Sequence, residues 1–557
     1  EITCRDWSSD VCSSDLLMTN SINYSEIKGF SKLFVDFINE SKFLLSRFHS
    51  NTDLFSLDSN VREQADTFSK REELIRCLQN SMSNLNLSPN QIQNIEYLAK
   101  NRSLTVTTKT KVGFLGGPLL NFYKIQSAIE YSEKFKSTYK FLEIIPVVIV
   151  EDDDNDNFES SHISILTKDF KIKTVNCCSD CEKNSIISVA NLKFSDEIKT
   201  IIDSILSLIP ETAYKRNIST CLSKIYKKDK SWTDSYIEFI NTIFGNQGLL
   251  ILRASVIRNS GLFSNLVINE INNIGKSLEI VGKANKELSE IGYEIKAKCF
   301  DINLYYHKDH KRHKLNYDPI NHKIQIDGEI LDTENFMELI NKDISSLSPN
   351  IILKPIFFDS VLPNIANITG PSELSFIAQL KELYEFFKID MPAYIPRYSA
   401  TLVPIRIKKT IDSLNLQIFY FLRNFEEIEK DIMKNLTDKY VEQIINDGKQ
   451  QIERVVEYIN LAVENLKIEE TGNLALKRIR DEMEVYESRI LEARNRKRSI
   501  ILQKYQSIAN VLYPNSSLQE RFFSPVSFIG MIGFESFTTL LKLIEIDDNA
   551  KHYFVEI

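Results

Sequence analysis

The sequence predicts an α/β protein: a Rossmann-like parallel-sheet core with insertions, followed by a C-terminal antiparallel α-helical coiled-coil hairpin. Two β-branched runs, residues 104–108 (LTVTT) and 144–150 (IIPVVIV), flank a segment with helical patterning. Strand, helix, strand in that order, with continuous apolar strands, builds a parallel sheet covered on both faces. Gly113, Gly116, Gly117 and Pro118 follow the first run, where an open parallel sheet takes its ligands. Between Pro404 and Pro514 there is no proline, and apolar residues alternate spacings of four and three, the pattern of a coiled-coil seam.

Residues 6–16 read DWSSDVCSSDL, the translation of a common sequencing-adapter oligonucleotide. Residues 1–17 are therefore expected to be an artefact, with Met18 as the authentic start; they lack the cationic start and apolar core of a signal peptide. They carry Glu1, Asp6, Asp10 and Asp15 against Arg5, so without them the net charge moves from −8 to −5. About 540 remaining residues exceed one hydrophobic core and imply two to four domains. A composition of 43% hydrophobic and 26% charged residues is that of a globular protein. Mild acidity argues against a nucleic-acid binder, and no 18-residue apolar span suggests a membrane helix. Cys77, Cys177, Cys178, Cys181, Cys221 and Cys299 show no paired framework, so reduced thiols and a cytoplasmic location are expected.

The elements follow in order. Residues 18–298 form the Rossmann-like core, with N-terminal helices over 19–100, a helix over 119–135 and a further strand at 249–252 (LLIL). Residues 299–345 form a small β-rich insertion, with strands in 305–313 and 323–327. Its His307, His310 and His313 stand three apart, which suits an exposed basic turn better than a metal site. The Cys178-x-x-Cys181 pair lacks a second ligand pair, so no metal site is expected. Residues 346–410 return to the core, with strand-like 351–357 ending at Asp359. The coiled coil spans 411–512, and 513–557 returns to the core. Val441, Ile445, Gly448, Ile452, Val455, Ile459, Ala462 and Leu466 form one arm; Leu476, Ile479, Met483, Tyr486, Ile490, Ala493, Lys497 and Ile500 form the other. Gly472, in the polar break 469–473, permits the reversal between them. Arms of about 30 residues reach ~45 Å, and a seam this long needs a partner surface, which self-association supplies.

The candidate chemistry lies at strand ends. The loop 107–118 adds Lys109 and Lys111 to its glycines, a setting for a phosphate or carboxylate at a helix N-terminus. Residues 151–156 (EDDDND) follow the next strand and belong beside the same crevice, where Asp153, Asp154 and Asp156 suit an ammonium group or a magnesium–nucleotide complex. Crowded carboxylates also raise one another's pKa and supply a general base, and His162 downstream is a second base candidate. A solvated acidic turn explains the same composition. Asp359, Glu373 after Gly370-Pro371, Gln379 and Arg397 form a second polar cluster resembling a site wall.

Those blocks are similar to the cysteine-adding enzymes of bacillithiol biosynthesis. The resemblance rests on Thr107-Thr108, Gly117-Pro118-Leu119 with Tyr123-Lys124, Pro146-Val147, and 248–252 (GLLIL). It continues through Ser348-Pro349-Asn350, Gly370-Pro371 with Glu373, Gln379-Leu380-Lys381, Pro396-Arg397, Tyr513-Pro514-Asn515 and 518–521 (LQER), and so spans nearly the whole chain. It implies a Rossmann-type core, a dimerising coiled coil, and a ligase joining cysteine to glucosaminyl-malate as an amide, with ATP or ADP as the suspected nucleotide. It also implies a binding role for Thr107, Thr108, Gly117, Tyr123, Lys124 and Asn155. The family's Thr-Thr-Gly-His/Gln-Gln corresponds here to Thr107, Thr108, Lys109, Thr110 and Lys111, and its Glu-Asp-His-Asp to Asp153, Asp154, Asn155 and Asp156. The family's arginine in the middle block is Lys354. With the motif histidine replaced by asparagine, Asp154, Asp156 or His162 is expected to serve as base. A binding or scaffold protein that kept only fold and coiled coil is the alternative.

Overall fold

A computed structural model describes residues 18–48, 58–178, 187–423, 439–467, 469–544 and 551–557. Residues 1–17, read above as adapter-derived, lie outside them.

Five parallel strands form the central sheet: β1 (Ser103–Lys111), β2 (Glu143–Glu151), β3 (Leu250–Arg253), β4 (Asn364–Thr369) and β5 (Ala393–Pro396). Their order across the sheet is β3-β2-β1-β4-β5. The winding therefore reverses between β1 and β4, and at such a boundary the loops leave in opposite directions and open a crevice. Helix α1 (Leu120–Thr138) makes the crossover from β1 to β2. Leu104, Val106, Ala128, Phe135, Ile144, Ile368 and Ile395 close one core cluster over the sheet. Each large apolar side chain buried there contributes about 1.5–3 kcal/mol.

The structure corrects three boundaries. First, β1 runs on to Lys111 rather than ending near residue 108, because Thr107 to Lys111 pair in register with Val147 to Glu151. Lys109 and Lys111 thus stand on a strand and not in a loop. Second, residues 351–357 are not a strand: the segment turns into helix Lys354–Asp359. The Asn350 carboxamide accepts from the Ile352 and Leu353 N–H groups (2.9 and 3.3 Å), and Pro355 occupies the first turn, where its missing N–H costs nothing. Third, β4 and β5 were not foreseen. The sequence NIANIT of β4 contains two asparagines, a residue depleted in strands, yet all six residues are buried.

Around the sheet, strand Met18–Asn23 pairs antiparallel with Lys551–Glu556, which pairs parallel with Ser399–Val403. The first of these begins a region expected to be wholly helical. The insertion holds one three-stranded sheet and a hairpin, which strand Leu347–Pro349 beyond it extends to three; His307 of that hairpin bonds Ser348 (2.8 Å), and His313 meets Asp327 (3.3 Å). Against the expectation of no long apolar run, helix Val526–Leu543 has the length and apolarity to cross a bilayer; 61% of it is buried within the protein. Among the described residues Cys77, Cys177, Cys221 and Cys299 are free thiols, but Cys178 is disulfide-bonded, which corrects the expectation of reduced thiols throughout.

The chain divides into two compact units, Glu1–Pro404 with Ser517–Ile557, and Ile405–Ser516. In the second, α2 (Lys439–Ala462) and α3 (Glu469–Leu512) run antiparallel: Lys449 pairs with Glu487 and, a turn further along, Glu453 with Arg480 at 2.6 Å. The reversal falls earlier than expected, at Lys467, which takes the left-handed conformation (φ 52°). Gly472 lies inside α3, where a side chain would collide with Asn460. The seam half-buries Ile445, Ile452, Leu476, Met483 and Ile490. Other residues expected in it face outward: Ile459 is 52% and Tyr486 61% exposed.

Candidate active site

The carboxyl ends of β1, β2 and β4 build the site. On β1, Thr107 and Thr108 stand on opposite faces of the sheet, and both hydroxyls reach β4. Thr107 bonds Asn367 and accepts from Asn364 Nδ2 (3.0 Å), and Thr108 donates to the Ile368 carbonyl (2.9 Å). Both hydroxyls tie β1 to β4 and are fully buried, which corrects their expected contact with a ligand. Two residues apart on the same strand, Lys109 and Lys111 share a face. Lys111 Nζ lies 2.5 Å from Asp156 and 3.0 Å from Glu159, so the basic end of β1 and the acidic end of β2 meet over one crevice.

The acidic run is not a pool of loose carboxylates. Asp152 is fully buried and accepts from Arg253 Nε (2.9 Å), Ser255 N (2.8 Å) and Ser255 Oγ (2.7 Å), pinning β3 and the helix after it. Asp153 meets Arg258 at 3.0 Å and lines a small recess beside Asp154, Arg312 and Lys354. Asp154 is gripped by Arg312 Nη1 and Lys354 Nζ, both at 2.7 Å. Burial alone would raise its pKa, but those two cations hold it well below the ordinary carboxylate range. A carboxyl this acidic stays ionised near neutral pH, so Asp154 anchors charge and takes no proton there, which corrects its expected role as base. Asn155 and Asp156 line the crevice, Asp156 already paired with Lys111. At His162, Nδ1 meets the Phe158 carbonyl (2.9 Å) and Nε2 the Asn176 amide (3.0 Å), so both ring nitrogens are engaged locally.

The second polar cluster divides. Lys124 of α1 and Glu373 of helix Pro371–Ile377 form a pair at 2.6 Å across the crevice. Burial favours neutral Glu373, but Lys124, the Gly370 N–H and the Thr369 hydroxyl prevail and hold its pKa down to about 2. Arg397 is buried in a bidentate pair with Glu520 (3.0 and 2.5 Å), and its Nε, also buried, has no partner. Asp359 sits behind the wall, accepting from Asn364, Asn367 and Tyr384. Tyr123 is fully buried against Tyr398, and Gln379 clasps Ala297 and Asn285, so neither reaches a ligand. Gly117 shapes the turn: with φ at 66° it packs so closely that a side chain on Gly113 would strike its Cα.

Two adjoining chambers result, of about 360 and 680 Å³, and Lys109, Lys111, Glu151 and Glu373 border both. The smaller also has Asp154, Lys354, Arg312 and the rings of Phe300, Tyr305 and Tyr394 in its wall. The larger has Lys124, His162, Arg397, Arg521 and the Gly113 turn. Sequence reasoning assigned no site role to Arg312, Phe300 and Tyr305 in the insertion, or to Asn367 and Tyr394 on strands it did not foresee. Tyr305 and Arg312 left a trace, within the segment 305–313 read as strand and basic turn.

Fold and site together define a Rossmann-like α/β protein with a two-chambered, charge-lined crevice at its topological switch point and a separate helical-hairpin unit. Residues 17–398 match the family model described as the bacillithiol biosynthesis BshC N-terminal Rossmann-like domain, and residues 400–557 that of the BshC C-terminal coiled-coil domain. The chain belongs to the BshC family of bacillithiol biosynthesis. It is 25% identical over 536 residues to a Chloroherpeton thalassium protein named "Putative cysteine ligase BshC", covering 93% of this chain and 94% of that one. Relatives of the same name occur in Chlorobaculum tepidum (25% identical, covering 96% and 99%) and Staphylococcus carnosus (23%, covering 91% and 94%). Fold class and family are those the sequence led us to expect.

Proposed function

We propose that this chain is a carbon–nitrogen ligase that joins cysteine to glucosaminyl-malate through an amide bond, using a nucleotide to activate the carboxylate. The observation that carries this reading is the pair of adjoining chambers with shared charged walls. Two reactants bound side by side meet at that wall, and holding them there removes the entropic cost of encounter. In the smaller chamber, flat faces of Tyr305 and Tyr394 suit a sugar ring, and Lys354 with Arg312 offers cations beside Asp154. In the larger, Lys111, Lys124, Arg397 and Arg521 gather positive charge near the Gly113 turn. The unpartnered Nε of Arg397 fits there as a donor to an anion such as ATP or ADP phosphate.

The names of the relatives support the ligase class. A cytoplasmic location, a homodimer formed through the coiled coil, and the absence of nucleic-acid or membrane partners belong to the same proposal. Its test is direct: purified protein is incubated with cysteine, glucosaminyl-malate and ATP, and products are read by mass spectrometry. The expected result is a new species at the summed mass less one water, dependent on nucleotide. No such species, under conditions where a relative turns over, would sink the reading.

A further inference from the structure

The crevice contains an unusual lysine. The other cations reaching it have partners: Lys111 has Asp156, Lys124 has Glu373, Lys354 and Arg312 have Asp154, Arg397 has Glu520, and Arg521 donates to the Ser372 hydroxyl (3.1 Å). Lys109 is the exception among the described residues. Its ammonium makes neither an ion pair nor a hydrogen bond and rests 5.8 Å over the ring of Phe358. It also borders both chambers, so it stands where two bound reactants would face each other.

Its surroundings work, on balance, against the charged form. Burial is the strongest influence and pushes the Lys109 pKa below its ordinary value. Asp359, Glu151 and Glu373 face it from the helix Lys354–Asp359, from β2 and from helix Pro371–Ile377, and oppose that shift. Lys124 of α1 reinforces it. The net direction is down, because none of the three carboxylates comes close enough to pair. A desolvated lysine is a good proton acceptor near neutral pH. The groups expected to take that role are otherwise committed, Asp154 between two cations and His162 through both ring nitrogens.

We infer that Lys109 is the general base of the amide-forming step, an assignment that rests on the ligase reading above. In that step the lone pair of the glucosaminyl nitrogen forms the C–N bond to the acyl carbon of a phosphoryl-activated cysteine carboxylate. The C–O bond to the leaving group breaks, and its electron pair departs with phosphate. The proton lost from nitrogen moves to Lys109 Nζ and passes from there to the departing phosphate, so that Lys109 ends each turnover neutral.

The test compares full-length wild type with Lys109→Met, Lys109→Arg and Lys109→Ala, each checked for folding by circular dichroism, across a pH series of the same assay. Lys109→Met is expected to lower kcat by about 100-fold or more, with KM for both substrates little changed and the acidic limb of the kcat profile lost. Lys109→Arg keeps the positive charge but cannot accept a proton, and is expected to fail equally. In Lys109→Ala, added ethylamine restores turnover in proportion to its free-base concentration, which a merely structural lysine would not allow. Wild-type kcat and profile in either Lys109→Met or Lys109→Arg overturn the assignment while leaving the ligase intact. No product from wild type overturns the ligase reading itself, and with it the step that Lys109 serves.

Discussion

Arg397 and Glu520 are 2% and 1% exposed, and their side chains meet in two parallel hydrogen bonds that Ser399 extends. Removing one member of such a pair strands the other charge in the interior. Glu520→Gln should therefore destabilise the protein by about 3–5 kcal/mol, read as a lower urea midpoint. Glu373 makes a prediction in pH. Its folded pKa of about 2 lies below the ordinary 4.5, so its contribution to stability is full above pH 4.5 and is lost as the pH falls towards 2. Urea midpoints measured over that window should decline in the wild type and decline less in Glu373→Gln. Such pairs explain why the site was only partly legible at this scale. Lys124 and Glu373 are separated by 249 residues and Arg397 and Glu520 by 123, and no local pattern announces a pairing over that distance. The sequence marked Lys109, Lys111, Asp154 and Glu373 as chemically interesting. It could not say that Asp154 is neutralised by a lysine and an arginine, or that Lys109 is left alone.

Among the elements, those with strong periodicity were readable: β1, β2, β3, α1 and both arms of the hairpin. What escaped was governed by tertiary context. The asparagines of β4 argue against a strand until Thr107 and Asp359 are in place to satisfy them. The apolar run after Asn350 suits strand or short helix equally, and only the side-chain turn at Asn350 decides. In the hairpin, Gly472 invited a reversal that Lys467 makes instead. A lysine held in the left-handed region costs about 1 kcal/mol relative to glycine. Lys467→Gly should accordingly slow amide hydrogen exchange around the turn. Gly472→Leu should speed it by forcing Asn460 away from α3. The opposite outcomes would place the reversal wrongly.

For the whole molecule, the helical-hairpin unit and the Rossmann-like unit raise separate questions. The hairpin leaves Val455, Ile459, Tyr486 and Ile500 each about half exposed or more, an apolar stripe that a second copy of the chain would cover. Sedimentation velocity should then show a dimer for the wild type and a shift toward monomer for Ile459→Glu combined with Tyr486→Glu; an unchanged coefficient would remove the coiled coil from the interface. In the Rossmann-like unit, the proposed function depends on one placement, the reactants side by side where β1 and β4 part. The most direct measurement is a crystal structure of the protein with glucosaminyl-malate bound. The account predicts the ligand in the crevice between those two strands, its malate carboxylates against Lys354 or Arg312 and its sugar amine within reach of Lys109. Ligand bound on another face, with the crevice filled only by solvent, would contradict it.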